Sequence, residues 1–110
     1  MRTVTLGLAM LLLAGAACAQ PEPRPMKLVL SRHSTVDPVE IMKHLSRKCP
    51  NVTLTNNSRQ SDFMLYAGGW SGSYRFMVIA HGGDTIYATE TTLLSNAVKD
   101  VCQFLNKTHQ

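Results

Sequence analysis

The chain has little of what most catalytic and cofactor sites need. Only seven residues are Asp or Glu, against eleven Lys or Arg, and no nearby carboxylate pair suggests glycoside hydrolysis. The four histidines, His33, His44, His81 and His109, show no metal-ligand spacing such as HExxH. No serine stands in GxSxG, and Trp70-Ser71-Gly72-Ser73 leads into a second strand pattern where a nucleophile elbow needs a helix. Gly68-Gly69 and Gly82-Gly83 read as turn glycines, because neither pair opens a helix as a phosphate loop does. Cysteine is scarce, with three in the chain and no CxxC, which excludes a thioredoxin-like motif and a zinc knuckle. No catalytic, cofactor-binding or metal-binding residue is assigned, and no cofactor is expected. Basic residues are scattered, and the net charge is only +4. Arg47-Lys48 closes a predicted helix and is favoured there by the helix dipole, so it implies no nucleic-acid partner.

What is present begins at the first residues. Arg2 precedes an apolar run from Leu6 to Ala17, and Ala17-Cys18-Ala19 supplies small residues before Gln20. This is the pattern of a secretory signal peptide over residues 1–19, cut between Ala19 and Gln20. The run is shorter than the roughly 20 apolar residues of a membrane span, so no transmembrane span is expected after signal removal. An uncleaved anchor is one alternative. A lipoprotein attached through Cys18 is another, although such signals usually carry Leu where this one has Gly15. The expected location is periplasmic or secreted. Residues 20–25 hold three prolines and form a flexible segment, since proline supports neither a helix interior nor a sheet ladder. Residues 26–108 form the folded domain.

Within that domain the apolar spacing alternates between strand and helix. Met26–Leu30 is a short β-prone run. Asp37-Pro38-Val39-Glu40 opens a helix: Asp37 caps the free N–H groups, Pro38 fits the first turn and Glu40 gives a capping-box spacing. Val36 and Ile41 are placed for a hydrophobic staple. Ile41, Met42, Leu45 and Cys49 read as the inner face, and Cys49-Pro50 ends the helix. Val52–Thr55 alternates as a half-buried strand. Strands over 62–69 and 74–81 flank a Ser71-Gly72 turn. A second turn at Gly82-Gly83-Asp84 leads to a strand over Thr85–Thr91. Leu94, Ala97, Val98, Val101, Cys102 and Leu105 then trace one helical stripe, with Thr92 as its N-cap. The reading is a single α+β domain, β-α-β-β-β-β-α, with a mixed sheet and two helices on one face; the alternative divides the helices between the two faces, which would separate Cys49 from Cys102.

Two cysteines survive signal removal. In an oxidising compartment an even count points to a bridge between Cys49 and Cys102, and both face inward on their helices. A domain this small is marginally stable without such bracing.

The period-2 pattern also separates two sheet faces. Phe63, Leu65 and Ala67 share one face with Phe76, Val78 and Ala80. Met64 and Tyr66 share the other with Arg75, Met77 and Ile79. Both faces are apolar, and two helices on one side leave the second uncovered. Large exposed apolar patches mark interaction sites. Met64, Tyr66, Trp70, Arg75, Met77 and Ile79 are therefore the candidate interface, with Trp70 near the hairpin tip. A protein partner or self-association through this face is the expected use.

Asn51-Val52-Thr53, Asn56-Asn57-Ser58 and Asn106-Lys107-Thr108 match the N-glycosylation pattern, which matters only in a host with that machinery. The order of strand, helix, short strand and then Ser61-Asp62-Phe63-Met64-Leu65-Tyr66-Ala67-Gly68 resembles small α/β modules of the bacterial envelope. The N-terminal domain of the Tol-system propeller protein and the curli-secretion lipoprotein are of this type. The likeness covers about half of the mature chain and carries no catalytic residue. It lacks the clear lipobox of many such modules, and the cysteine pair is not part of the pattern. The resemblance implies a protein-binding envelope module. The reading is an exported, non-enzymatic binding module; the alternative is a small exported hydrolase whose site is assembled from distant residues.

Overall fold

The computed structural model describes residues 25–108. The signal-peptide reading, the Ala19/Gln20 cleavage site, Cys18, most of the Pro-rich segment and His109 lie outside them. Strand β1 spans Met26–Leu30, helix α1 Pro38–Lys48, β2 Val52–Thr55, β3 Phe63–Trp70, β4 Ser73–Ile79, β5 Thr85–Thr91 and α2 Leu94–Thr108. One sheet holds all five strands in the order β2-β1-β3-β4-β5. β1 runs parallel to β2 and β3, and β3-β4-β5 form an antiparallel meander. The fold is the α+β arrangement read from the sequence.

Local chemistry explains the element ends. The Asp37 carboxylate accepts a hydrogen bond from the Val39 amide at 2.9 Å, and Pro38 occupies the first helical position, where a missing N–H costs nothing. Glu40 does not complete a capping box; its carboxylate meets Lys43 Nζ at 3.3 Å, one turn along. Thr92 is not the cap of α2. The helix starts at Leu94, and Leu93 O receives the Asn96 and Ala97 amides, while Thr91 Oγ1 accepts from Leu93 N at 3.0 Å. Ser71-Gly72 makes the expected tight turn, with Trp70 paired to Ser73 and Gly72 at φ +77°, a backbone region that favours glycine.

Both helices lie on one face. Ile41, Leu45, Ala97, Val98, Val101 and Leu105 from the helices close over Leu28, Leu65, Ala67, Phe76 and Val78 from the sheet, all essentially inaccessible to water. Each such side chain stabilises the fold by roughly 1.5–3 kcal/mol relative to exposure. Phe63, Leu54, Tyr74 and Phe104 ring this core in half-buried positions. Cys49 and Cys102 are bonded across the two helices, with Cα atoms 5.8 Å apart and 53 positions of sequence between them.

Two inner-face assignments and one turn reading need correction. Met42 is exposed, because the buried stripe is Ile41-Leu45-Cys49 at four-residue spacing and Met42 sits one residue, about 100°, off it. Ala80 falls outside β4, which ends at Ile79 after a register shift against β5. Gly68-Gly69 lies inside β3, not in a turn. Each of these two glycines makes room for a tyrosine ring. A Cβ on Gly68 would stand 2.5 Å from Tyr66 Oη, and one on Gly69 would stand 3.1 Å from the Tyr74 ring and from Val36. Glycines in a strand often mark such close approach.

Candidate functional site

The pairings of β3 with β4 set the candidate interface. Met64 stands opposite Ile79, Tyr66 opposite Met77, and Gly68 opposite Arg75. The intervening pairs, Leu65 with Val78 and Ala67 with Phe76, point into the core. Alternation therefore puts Met64, Tyr66, Arg75, Met77 and Ile79 on the face away from both helices. Val29 joins them from β1, opposite Met64, and Ala88 joins from β5, opposite Met77. Met64 and Ala88 are exposed; Val29, Tyr66, Met77 and Ile79 are half-buried. Tyr66 lies over Gly68, so its ring covers the sheet instead of standing off it.

Trp70 stands at the tip of the β3-β4 hairpin and is half exposed, with no place in the core. The Arg75 guanidinium sits 5.8 Å from its ring centroid, within cation–π range. Arg75 also donates from Nη2 to Glu90 Oε1 at 2.9 Å and from Nε to the same oxygen at 3.3 Å. These charge-assisted bonds, with a Ser73 hydroxyl bond at 3.3 Å, hold the Glu90 carboxyl below its ordinary pKa. The open face thus has an apolar centre and one polar corner, where Trp70, Arg75, Ser73 and Glu90 meet.

At one border of the face is a small depression of about 160 Å3, lined by Val29, Met64, Ile79 and His81 among others. His81 Nε2 is 2.8 Å from the Ser61 carbonyl oxygen, so the ring ties the β4-β5 turn to the start of β3. His33 is exposed and His44 half-buried, and they lie on separate elements. Among the described residues no group of three or more His, Cys, Asp or Glu could hold a metal ion, and no helix is long and apolar enough to cross a membrane. Asn56 and Asn106 of the sequons are exposed, while Asn51 is half-buried and its carbonyl accepts the Met26 amide at 2.8 Å.

A larger cleft went unread in the sequence. It has a volume of about 530 Å3 and opens between the β1-α1 loop, the β3-β4 hairpin and the start of α2. Val36, Asp37, Glu40, Trp70, Tyr74 and Leu94 line it. Thr35 and Val36 of the 31–36 loop also line it, and this loop continues the pairing of β3 beyond the end of β1. Ser34 Oγ accepts the Ala67 amide at 2.9 Å, and Thr35 Oγ1 both accepts the Gly69 amide at 2.8 Å and donates to the Gly69 carbonyl at 3.1 Å. Three distant segments meet here, and no spacing within any one of them signals it.

Comparison of this chain with protein-family models, with curated proteins and with solved structures finds no match in any of the three.

Proposed function

We propose that this protein is an exported, non-enzymatic module that binds another protein through the open face of its sheet. One observation carries the reading: both helices lie on the same side, and among the described residues no element covers Val29, Met64, Tyr66, Met77 and Ile79 on the other. The face is rich in the residue types that make protein contacts. Met, Tyr, Trp and Arg are enriched at interfaces, and Trp, Tyr and Arg carry much of their energy. Export is supported by the signal-like segment and by a buried disulfide, a bond that persists in oxidising compartments. The resemblance to small envelope modules favours a periplasmic or secreted scaffold over a hydrolase.

The test is a paired substitution on the open face. Tyr66→Ala with Ile79→Ser should abolish most partner capture while leaving the thermal midpoint within a few degrees of wild type, because half-exposed sites away from the core tolerate change. Capture unchanged in a folded double variant removes the reading.

A further inference from the structure

The sheet ends in two unlike edges. β2 is four residues long, follows Pro50 and runs into Asn56-Asn57, and a short edge of this kind resists pairing with other chains. β5 is different. It has seven residues, TIYATET, with no proline, no lysine and a single charge. A register shift leaves Ile86 without a β4 partner, so the bulge ends the regular stretch there and Tyr87–Thr91 continues undisturbed. Among the described residues no strand pairs with its outer side, and high β-propensity, low charge and an unpaired ladder are the features that make an edge pair with another strand.

The flanks of this edge carry apolar side chains on both sides, and on the helix side Thr89 Oγ1 also donates to Asp100 Oδ2 of α2 at 2.7 Å. On the helix side Tyr87 stacks on Phe104 of α2, ring centroids 4.6 Å apart and planes 14° apart, and both rings remain half-buried. On the other side Ala88 is exposed next to Met77, and Ile86 is 41% exposed at the bulge. A strand added alongside β5 would cover Phe104 and Tyr87 on one flank and extend the Met77-Ala88 surface on the other.

We infer that a second copy of this chain joins at β5, antiparallel and two-fold related, to give one continuous ten-stranded sheet. Charge selects a copy of itself over a charged partner. Glu90 is the one ionisable carboxylate on the strand, and Arg75 of the same chain neutralises it at 2.9 Å. Identical edges therefore meet without like charges opposed, and a charged partner finds no free charge on the strand to recognise. The pairing uses the β5 backbone and stands whether or not the open face binds protein.

The experiment is sedimentation of the exported protein, produced from the full sequence, across a dilution series. Wild type should sediment as two chains and dissociate on dilution. Ile86→Lys with Ala88→Lys places lysines on exposed positions beside the seam and should weaken the dimer by about tenfold or more, equivalent to about 1.4 kcal/mol. Tyr66→Ala with Ile79→Ser should leave the dimer intact, which separates this inference from the face-binding reading. Hydrogen exchange on wild type covers a double-lysine variant that fails to fold: amides of 87–91 should exchange faster on dilution and those of 52–55 should not change. Wild type that remains a single chain at every concentration overturns the inference. So does a folded lysine variant that stays fully dimeric, or β5 exchange that ignores dilution.

Discussion

Reducing the Cys49–Cys102 bridge isolates one term of the stability. The bond spans 53 positions, and in the chain-entropy treatment closing a loop of that length removes about 4 kcal/mol of unfolded-state freedom. A domain of this size has a total stability of roughly 4–13 kcal/mol, so the bridge supplies a third of it or more. At about 4–8 °C per kcal/mol, reduction should lower the thermal midpoint by about 16–32 °C. The assay is circular dichroism melting of oxidised and reduced wild type under otherwise equal conditions. Cys49→Ala with Cys102→Ala serves as the permanently open form. The two cysteines are buried, at 2% and 3% exposure, so the alanine form also leaves a small cavity and should melt at or slightly below reduced wild type. A shift under about 5 °C on reduction, worth about 1 kcal/mol, would refute the reasoning, because the helices would then be held together without help from the loop constraint.

Other perturbations test single contacts. Gly69→Ala should cost about 1–3 kcal/mol in denaturant titration, since its Cβ would press at 3.1 Å on Tyr74 and Val36, both packed against the core. Gly68→Ala should cost less, because only the free end of the Tyr66 ring must swing away. Asp37→Ala should cost about 1 kcal/mol by removing the cap on the Val39 amide. Arg75→Gln should be less stable than wild type at neutral pH. Glu90 has its folded pKa lowered by Arg75, so the stability from that pair is present above the ordinary value of 4.5 and lost as pH falls through the lowered value. The gap between Arg75→Gln and wild type should therefore close in acid, which melting as a function of pH reads directly.

The element order was legible because each segment carries one dominant period. The α2 stripe from Leu94 to Leu105 and the alternation in 63–67 and 76–79 leave little choice of element type. Face assignment followed from the same alternation, given a tight turn at Ser71-Gly72. Where reading failed, a contact between distant residues overrode the local signal. Gly68-Gly69 looks like punctuation until the rings of Tyr66 and Tyr74 are placed over it. Met42 fits an apolar helix face by type but lies beyond the buried arc, facing β2 at the sheet edge. The β5 bulge that excludes Ala80 from β4 has no marker in Ile79-Ala80-His81. The large cleft is illegible for the same reason, since Asp37, Trp70 and Leu94 meet only after the sheet and both helices are assembled.

Methionine oxidation compared between the native compartment and the purified protein tests the central claim most directly. Met64 lies on the open face at 38% exposure, and Met42 lies on the helix side at 51%. Exposed thioethers oxidise and covered ones resist. In purified, dilute protein both should oxidise readily. In the native compartment Met64 should be protected by a bound partner while Met42 oxidises as before. Equal oxidation of Met64 and Met42 in both settings would contradict the claim that this sheet face is a binding surface.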